Sequence, residues 1–444
     1  MEQEANPKKE LVDAFVAPFQ KFAKQESSGG VILLIFALLS ILTANISQLN
    51  FIHDWWNIHF SVGFENFYFN KTILHWINDG LMTIFFLLVG LEIKRELLVG
   101  ELSSLRKAML PIFAAIGGMV IPAGIYAGFN YGGVASAGWG IPMATDIAFA
   151  LGVLSIMGSR VSLPLKIFLT ALAIVDDLGA IIILVIFYST SISWLMLLGA
   201  FVMVILLVGL NIAGVKRLFP YMILGVMLWI FFLNSGVHST LSGVILAFCI
   251  PSRGKFSQTT FMKIGGYHLD QFGKKKKKEI PLLMNHEQQK VLKSLDSAIQ
   301  GINSPMHRLE DKIHPWVTFF IMPLFAFANA GVTIDTSILH ALFSDEALGI
   351  ILGLVVGKPA GILLFSFFAV KMKWANLPTG ATWKHIWAIG CIGGIGFTMS
   401  IFINSLAFDI QNLVEIAKVS IVVASILATI HGFIFISRLK RSNS

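Results

Sequence analysis

Four ionisable residues stand inside long apolar runs: Asp146 in ATDIAFALG, the adjacent Asp176 and Asp177 in IVDDLGAI, and Lys358 in GKPAGI. Charge survives in such runs when it pairs, faces a water-filled cavity or does chemistry. Carboxylate oxygens bind hard cations and also take up protons, so the two compete for the same atoms. Successive helical residues point about 100° apart, so Asp176 and Asp177 cannot face one ligand equally. One can line a water-filled funnel and hold a cation, while its neighbour turns towards a cationic side chain such as Lys358. Burial disfavours the charged form of carboxylate and ammonium alike, which lets both groups exchange protons and makes ion binding and proton coupling one event. A buried Asp–Lys pair can also do no more than fix helix packing. Four charged groups at similar depth weigh against that, because apolar residues pack helices without the desolvation penalty.

The elements that must hold these residues are membrane helices. Of 444 residues, 56% are hydrophobic and 13% charged, and the mean hydropathy is +0.77, which excludes an ordinary soluble domain. Runs such as VILLIFALL and IIILVIFY do not alternate, which excludes a lipid-facing β-barrel. The expected fold is all-α and polytopic, with about twelve spans. They lie near 30–48, 73–97, 108–128, 142–157, 163–187, 193–211, 218–234, 238–250, 315–333, 347–370, 386–407 and 415–437. Residues 1–28 form a cytoplasmic start in which Leu11, Phe15, Phe19 and Phe22 make the apolar face of an interfacial helix. Spans one to eight occupy 29–250, with an external segment at 49–71. A basic cytoplasmic loop follows at 251–313, spans nine to twelve at 314–438, and a cytoplasmic tail at 439–444.

Lys94, Arg95, Arg106, Lys107, Arg160, Lys216, Arg217, Lys371, Lys373, Arg438 and Lys440 collect on one side of these spans, and Lys71 is nearly alone on the other. The bias places both termini in the cytoplasm of a bacterial inner membrane and assigns the net charge of +8 to topology, not to nucleic acid. The run Lys274–Lys278 is first a solvated, topology-setting segment and second an attraction to anionic headgroups. The stretch VLKSLDSAIQGI reads as helical, and nothing in the insert suggests a separate domain. Trp55, Trp56, Phe60, Phe64, Phe67 and Tyr68 suit either the membrane interface or a hairpin that pairs two subunits, the interface being favoured. The start MEQEANPKKE is not a cleaved signal peptide, so the first span is expected to be retained. Cys249 and Cys391 lie in apolar segments and form neither a disulfide framework nor a metal cluster.

Two spans are interrupted in corresponding places, GWGIPMATD from Gly138 and GCIGGIGFTMS from Gly390. Glycine tolerates irregular backbone and Pro142 lacks a donor, so both spans are expected to break and expose helix ends to a cavity. Either segment alone would read as close glycine packing. Each, however, is the middle of a trio, spans three to five and ten to twelve, with opposite orientations, which is an inverted repeat. Half-helix N-termini would put partial positive charge at the midplane for Asp146 to offset, and Lys358 would offset the opposing C-terminal ends.

With these residues the sequence resembles the bacterial Na+/H+ antiporter A (NhaA) family from about residue 28 to the C-terminus. The segments FFLLVGLEIKREL from Phe85, ATDIAFALG from Ala144, IVDDLGAI from Ile174, SGVHSTLSG from Ser235, PLFAFANAGV from Pro323 and GKPAGI from Gly357 carry the likeness. Paired broken spans in an inverted repeat are an architecture of which this family is itself a precedent. The resemblance implies that Asp176 and Asp177 are the ion-site aspartates, with Asp176 the partner of Lys358, and that Thr145 and Asp146 belong to the unwound crossing. It implies transported Na+, Li+ and H+ with no cofactor, electrogenic exchange, control by cytoplasmic pH, and a homodimer in the lipid bilayer. A pH-sensing cluster would comprise Glu92, Lys94, Arg95, Glu96, Glu310, Asp311 and His314, with His238 near the external side. On their own, residues 92–96 read as a positive-inside anchor with local pairing, and a lone interfacial histidine as a hydrogen-bonding group. Asp311 stands where a second histidine is often found, and the preceding insert is long.

Other functions fit less well. An intramembrane aspartyl protease takes its aspartates from separate helices, whereas Asp176 and Asp177 are adjacent. A cation channel needs acidic residues but no buried lysine or paired broken helices. A Na+-coupled solute symporter would need a roomier polar pocket.

Overall fold

The computed structural model describes residues 28–49, 51–64, 67–189, 192–256, 258–274 and 286–439. The expected interfacial helix at 11–22 and the lysines 275–278 lie outside the described residues. Among the described residues seven helices are long and apolar enough to cross a membrane: Ser28–Asn45, Ile73–Val99, Leu105–Asn130, Leu163–Phe187, Trp194–Ile212, Asp345–Lys371 and Gln411–Arg438. Two more apolar pairs are bent, Val134–Met143 with Ile147–Ile156 by 44° and Trp383–Gly393 with Phe397–Ala407 by 50°. The remaining three expected spans fall on shorter helices: Leu218–Leu233, Leu241–Cys249, and Met322–Asn329 preceded by a π-helical turn, Val317–Ile321. Apolar side chains such as Leu198, Phe201 and Ile205 stay exposed along the outer faces, as a chain solvated by lipid requires.

The chain forms two compact units. The first contains the described residues of Met1–Phe85, Glu92–Thr190 and Trp316–Ser444, and the second those of Phe86–Leu91 and Ser191–Pro315. In the first unit, helix Leu105–Asn130 packs along Lys358–Lys371. Gly117 and Gly361 allow the contact, since a Cβ on Gly361 would overlap the Gly117 carbonyl. Pro164 opens Leu163–Phe187 in the first turn, where its missing N–H costs nothing.

The second unit gathers Leu207, Tyr221, Leu228, Ala247 and Ile250 into one buried cluster. Its insert holds the helical stretch VLKSLDSAIQGI expected from the sequence, within His286–Ile302, and a further helix beside it. Gln258–Lys274 and His286–Ile302 are helices packed on each other, tied at their base by Lys255 and Phe256 N–H groups that donate to Gly301 O at 2.6 and 3.1 Å. The first of these helices went unnoticed because its apolar residues are few and interrupted by glycines. At 59–72 the aromatic segment pairs as an antiparallel hairpin, His59–Phe64 with Phe67–Thr72, and Trp76 Nε1 donates to Phe60 O at 2.9 Å.

Candidate functional site

The two bent pairs break at the same place in the first unit. Val134–Met143 is a 3₁₀ helix, and Ala144 and Asp146 are extended before Ile147 begins the second half. Pro142 removes a donor just before the break. Opposite, Gly394, Ile395 and Gly396 separate Trp383–Gly393 from Phe397–Ala407. Asp146 N donates to Ile395 O at 2.7 Å, and Ser400 Oγ donates to Ile141 O at 2.8 Å, so each break satisfies backbone groups that the other frees.

Asp146 is fully buried and caps two helices at once. Its Oδ1 accepts from Phe149 N at 2.9 Å, and its Oδ2 accepts from Thr398 N at 3.1 Å and from the Thr398 hydroxyl. One carboxylate therefore faces the positive ends of Ile147–Ile156 and Phe397–Ala407. Sequence reasoning missed Thr398, although it lies in the quoted GCIGGIGFTMS, in the first turn after the second break.

Lys358, buried to the same degree, leaves the π-helical turn Gly353–Gly357 at the start of Lys358–Lys371. Its Nζ lies 2.6 Å from Asp176 Oδ2 and also donates to Met143 O, the last carbonyl of the 3₁₀ half. Thr145 Oγ1 is 2.7 Å from Asp176 Oδ2 and 2.9 Å from Gly393 O. A hydroxyl has one proton for these two acceptors, so it serves one at a time. Asp176 and Asp177 are each 1% exposed, yet Asp176 Oδ1 and Asp177 Oδ2 have no hydrogen-bond partner among the described residues. Asp177 feels the charges of Asp176, Glu92 and Asp146 against that of Lys358. Lys358 thus pairs with Asp176 through Oδ2, which leaves Asp176 Oδ1 and Asp177 Oδ2 as the site's two carboxylate oxygens not met by a donor.

Two tyrosines hold the irregular half, and neither was singled out from the sequence. Tyr126 Oη donates to Ala135 O at 2.8 Å. Tyr188, at the end of the helix that bears Asp176 and Asp177, donates to Ala137 O at 2.7 Å and accepts from Gly140 N at 3.2 Å.

The remaining candidates fall in both units. Glu92, Lys94, Arg95 and Glu96 occupy the last turns of Met82–Val99, where Arg95 approaches Glu96 at 3.7 Å and Glu96 accepts from Glu101 N at 3.0 Å. Glu310, Asp311 and His314 lie on Pro305–Trp316 in the second unit. There His307, absent from the sequence-based set, lies 3.8 Å from Glu310 and 3.7 Å from Asp311. His238 precedes Leu241–Cys249 and accepts from Leu241 N through its carbonyl.

Comparison with known proteins gives a consistent picture. The family described as Na+/H+ antiporter 1 matches residues 20–436. A Na(+)/H(+) antiporter NhaA of Oleidesulfovibrio alaskensis is 44% identical over 430 residues, 97% of this chain and 96% of that protein. Its namesake from Sulfurimonas denitrificans is 45% identical over 443 residues, 98% of each chain. That of Wolinella succinogenes is 46% identical over 420 residues, 94% of this chain and 92% of its own.

Proposed function

The chain belongs to the Na+/H+ antiporter 1 family, and from that premise we propose how this multi-pass membrane protein exchanges its ions. It is a Na+/H+ antiporter. Asp177 and the free Oδ1 of Asp176 receive Na+ or Li+, and protons compete for the same oxygens. The observation that carries this reading is the contrast between neighbours: Asp176 is neutralised by Lys358 at 2.6 Å, while Asp177 Oδ2 has no partner. Thr145 and Asp146 hold the crossing of the broken spans, and Lys358 returns to Asp176 when the cation leaves.

Exchange is electrogenic, with more protons entering than Na+ leaving. A membrane potential then contributes about 2.3 kcal/mol per net charge per 100 mV to extrusion. The protein works as a homodimer in the bacterial inner membrane with both termini cytoplasmic, and cytoplasmic pH controls it through Glu92, Lys94, Arg95, Glu96, Glu310, Asp311, His314 and His238. Lys358 argues against a simple cation channel, because a buried ammonium repels permeant cations unless its charge is exchanged in the cycle.

The test uses vesicles loaded with a pH-sensitive dye and given a pH gradient, with Na+, Li+ or K+ added across a pH series and a potassium–valinomycin clamp to vary the potential. Collapse of an inside-acid gradient by external Na+ or Li+ but not K+, faster at positive-inside potential because net charge leaves with the protons, and absent in Asp177→Asn, is expected. Indifference to the potential would remove the electrogenic step, and cation-dependent proton movement that survives in Asp177→Asn would move the ion site elsewhere.

A further inference from the structure

One buried carboxyl lies outside this machinery. Glu346 follows the N-cap Ser344 in the first turn of Asp345–Leu352, where its neighbour Asp345 is exposed but Glu346 is only 4% exposed. Its Oε1 has no hydrogen-bond partner among the described residues. A first-turn glutamate normally reaches water or the cap backbone, so one buried to this degree, with an oxygen that no donor meets, calls for another role.

Its surroundings lead towards the ion site. Glu346, Gly349 and Gly353 share one face of the helix. A Cβ at Gly349 would meet Tyr126 and Asn130, and one at Gly353 would meet Pro142, so that face lies along Leu105–Asn130 and the 3₁₀ half Val134–Met143. Asn130 Nδ2 donates to Tyr126 O and to Asp345 O, each at 3.1 Å, which seats the glutamate's turn on the tyrosine's helix. Tyr126 interacts electrostatically with both Glu346 and Tyr188. Twelve residues further on, about 18 Å along the helix, Lys358 reaches Met143 O and Asp176.

The titratable groups on the elements packed against this turn are few. At this end of those elements they are Tyr126 and, in the opening turns of Gln411–Arg438, Glu415 and Lys418, whose charges act on each other, while Arg106 and Lys107, and His431 and Arg438, stand at or towards the opposite ends of their helices. The 3₁₀ half and the π-turn carry none. Among the described residues Glu346 forms no ion pair with any of them.

We propose that Glu346 is a further proton-binding site, a relay carboxyl between the water at this end of the span and the Asp176–Asp177 site along Val134–Met143. A hydronium from bulk water neutralises the carboxylate, and the same proton leaves inward. The step neither makes nor breaks a bond to carbon and needs no co-reactant. It rests on the ion site assigned above, and the test separates the two.

Full-length Glu346→Gln in lipid vesicles should bind Na+ in calorimetry within twofold of the parent, whereas Asp177→Asn should not bind it. Exchange by Glu346→Gln should slow at least tenfold, with the pH limb on its own side lost. A protonated-carboxyl band should vanish from the acid-minus-alkaline infrared difference spectrum. Glu346→Asp, which keeps the chemistry should the amide variant fold poorly, should move both band and limb without abolishing them. A band and pH profile unchanged in both variants would make Glu346 a helix-end residue only. Loss of Na+ affinity in Glu346→Gln would make it a cation ligand, and either result overturns the relay.

Discussion

Lys358 Nζ and Asp176 Oδ2 stand 2.6 Å apart with both side chains sealed from solvent. Removing one member leaves the other charged and unpaired in a low dielectric. Asp176→Asn and Lys358→Met should each destabilise the protein by roughly 3–5 kcal/mol, while the double variant should recover most of that loss. Unfolding of the three variants in detergent checks this. Additive losses in the double variant would show that the two groups are energetically independent.

Asp177→Asn should behave differently, although the residue is adjacent. Its Oδ2 has no partner to lose, so the ion-free protein should keep its stability. The parent should gain about 2.7 kcal/mol at a Na+ concentration a hundredfold above the dissociation constant, and the variant should gain none. Thermal unfolding with and without Na+ decides it, and a sodium-dependent shift retained in the variant would count against Asp177 as a ligand.

Thr398→Val removes the hydroxyl that donates to Asp146 Oδ2 but leaves the backbone donor in place. A hydrogen bond to a charged group is worth roughly 1.5–3 kcal/mol, so this loss in stability and a slower exchange rate are expected. Thr398→Ser should restore both. Failure of serine to rescue would mean that the methyl group, and not the shared cap, is what matters.

Asp335 offers a pH dependence outside the membrane. Its Oδ1 accepts from Ile338 N and Ser337 Oγ, each at 2.8 Å, and the Ile338 amide above all holds the carboxyl below the ordinary carboxylate range. A value depressed in the folded state contributes its stability in full above the free group's range and loses it as pH falls through the native value. Helix Thr336–Ala341 should therefore keep its cap at neutral and mildly acidic pH and fray only in strong acid. Amide exchange at Ile338 should rise there, and Asp335→Ala should give the faster rate already at neutral pH. Equal exchange in the two proteins at neutral pH would contradict this.

The charged core of the site was legible because buried charge is rare in apolar sequence: Asp146, Asp176, Asp177 and Lys358 needed only their types and positions. The breaks were legible from Gly and Pro. Spacing along one chain did not disclose which atoms meet across the breaks, so Thr398 and the carbonyls of Met143, Gly393 and Ile395 escaped notice. Backbone acceptors carry no residue signature at all. Glu346, just before the expected span ten, drew no attention, because burial at a helix start depends on the neighbouring helix, here through Asn130 and Tyr126. The hairpin at 59–72 was overshadowed because its aromatic residues satisfy an interfacial reading equally well.

Tyr188 tests whether the irregular half of the first broken span must be held for exchange to proceed. Its hydroxyl is both donor to Ala137 O and acceptor from Gly140 N, so Tyr188→Phe deprives two backbone groups of their partner. Gly140 is buried in this 3₁₀ segment, and a buried N–H left unmet costs about 1–3 kcal/mol, whereas Ala137 is exposed and its carbonyl loses only the staple. The segment ends at Met143, whose carbonyl accepts from Lys358, so a loosened segment alters the position of the lysine without touching the aspartates. Hydrogen exchange across 134–143 should rise in the variant. Na+/H+ exchange should slow by about tenfold, equivalent to roughly 1.4 kcal/mol, while Na+ affinity at Asp177 stays near that of the parent. Faster amide exchange with an undiminished transport rate would show that the staple serves stability alone.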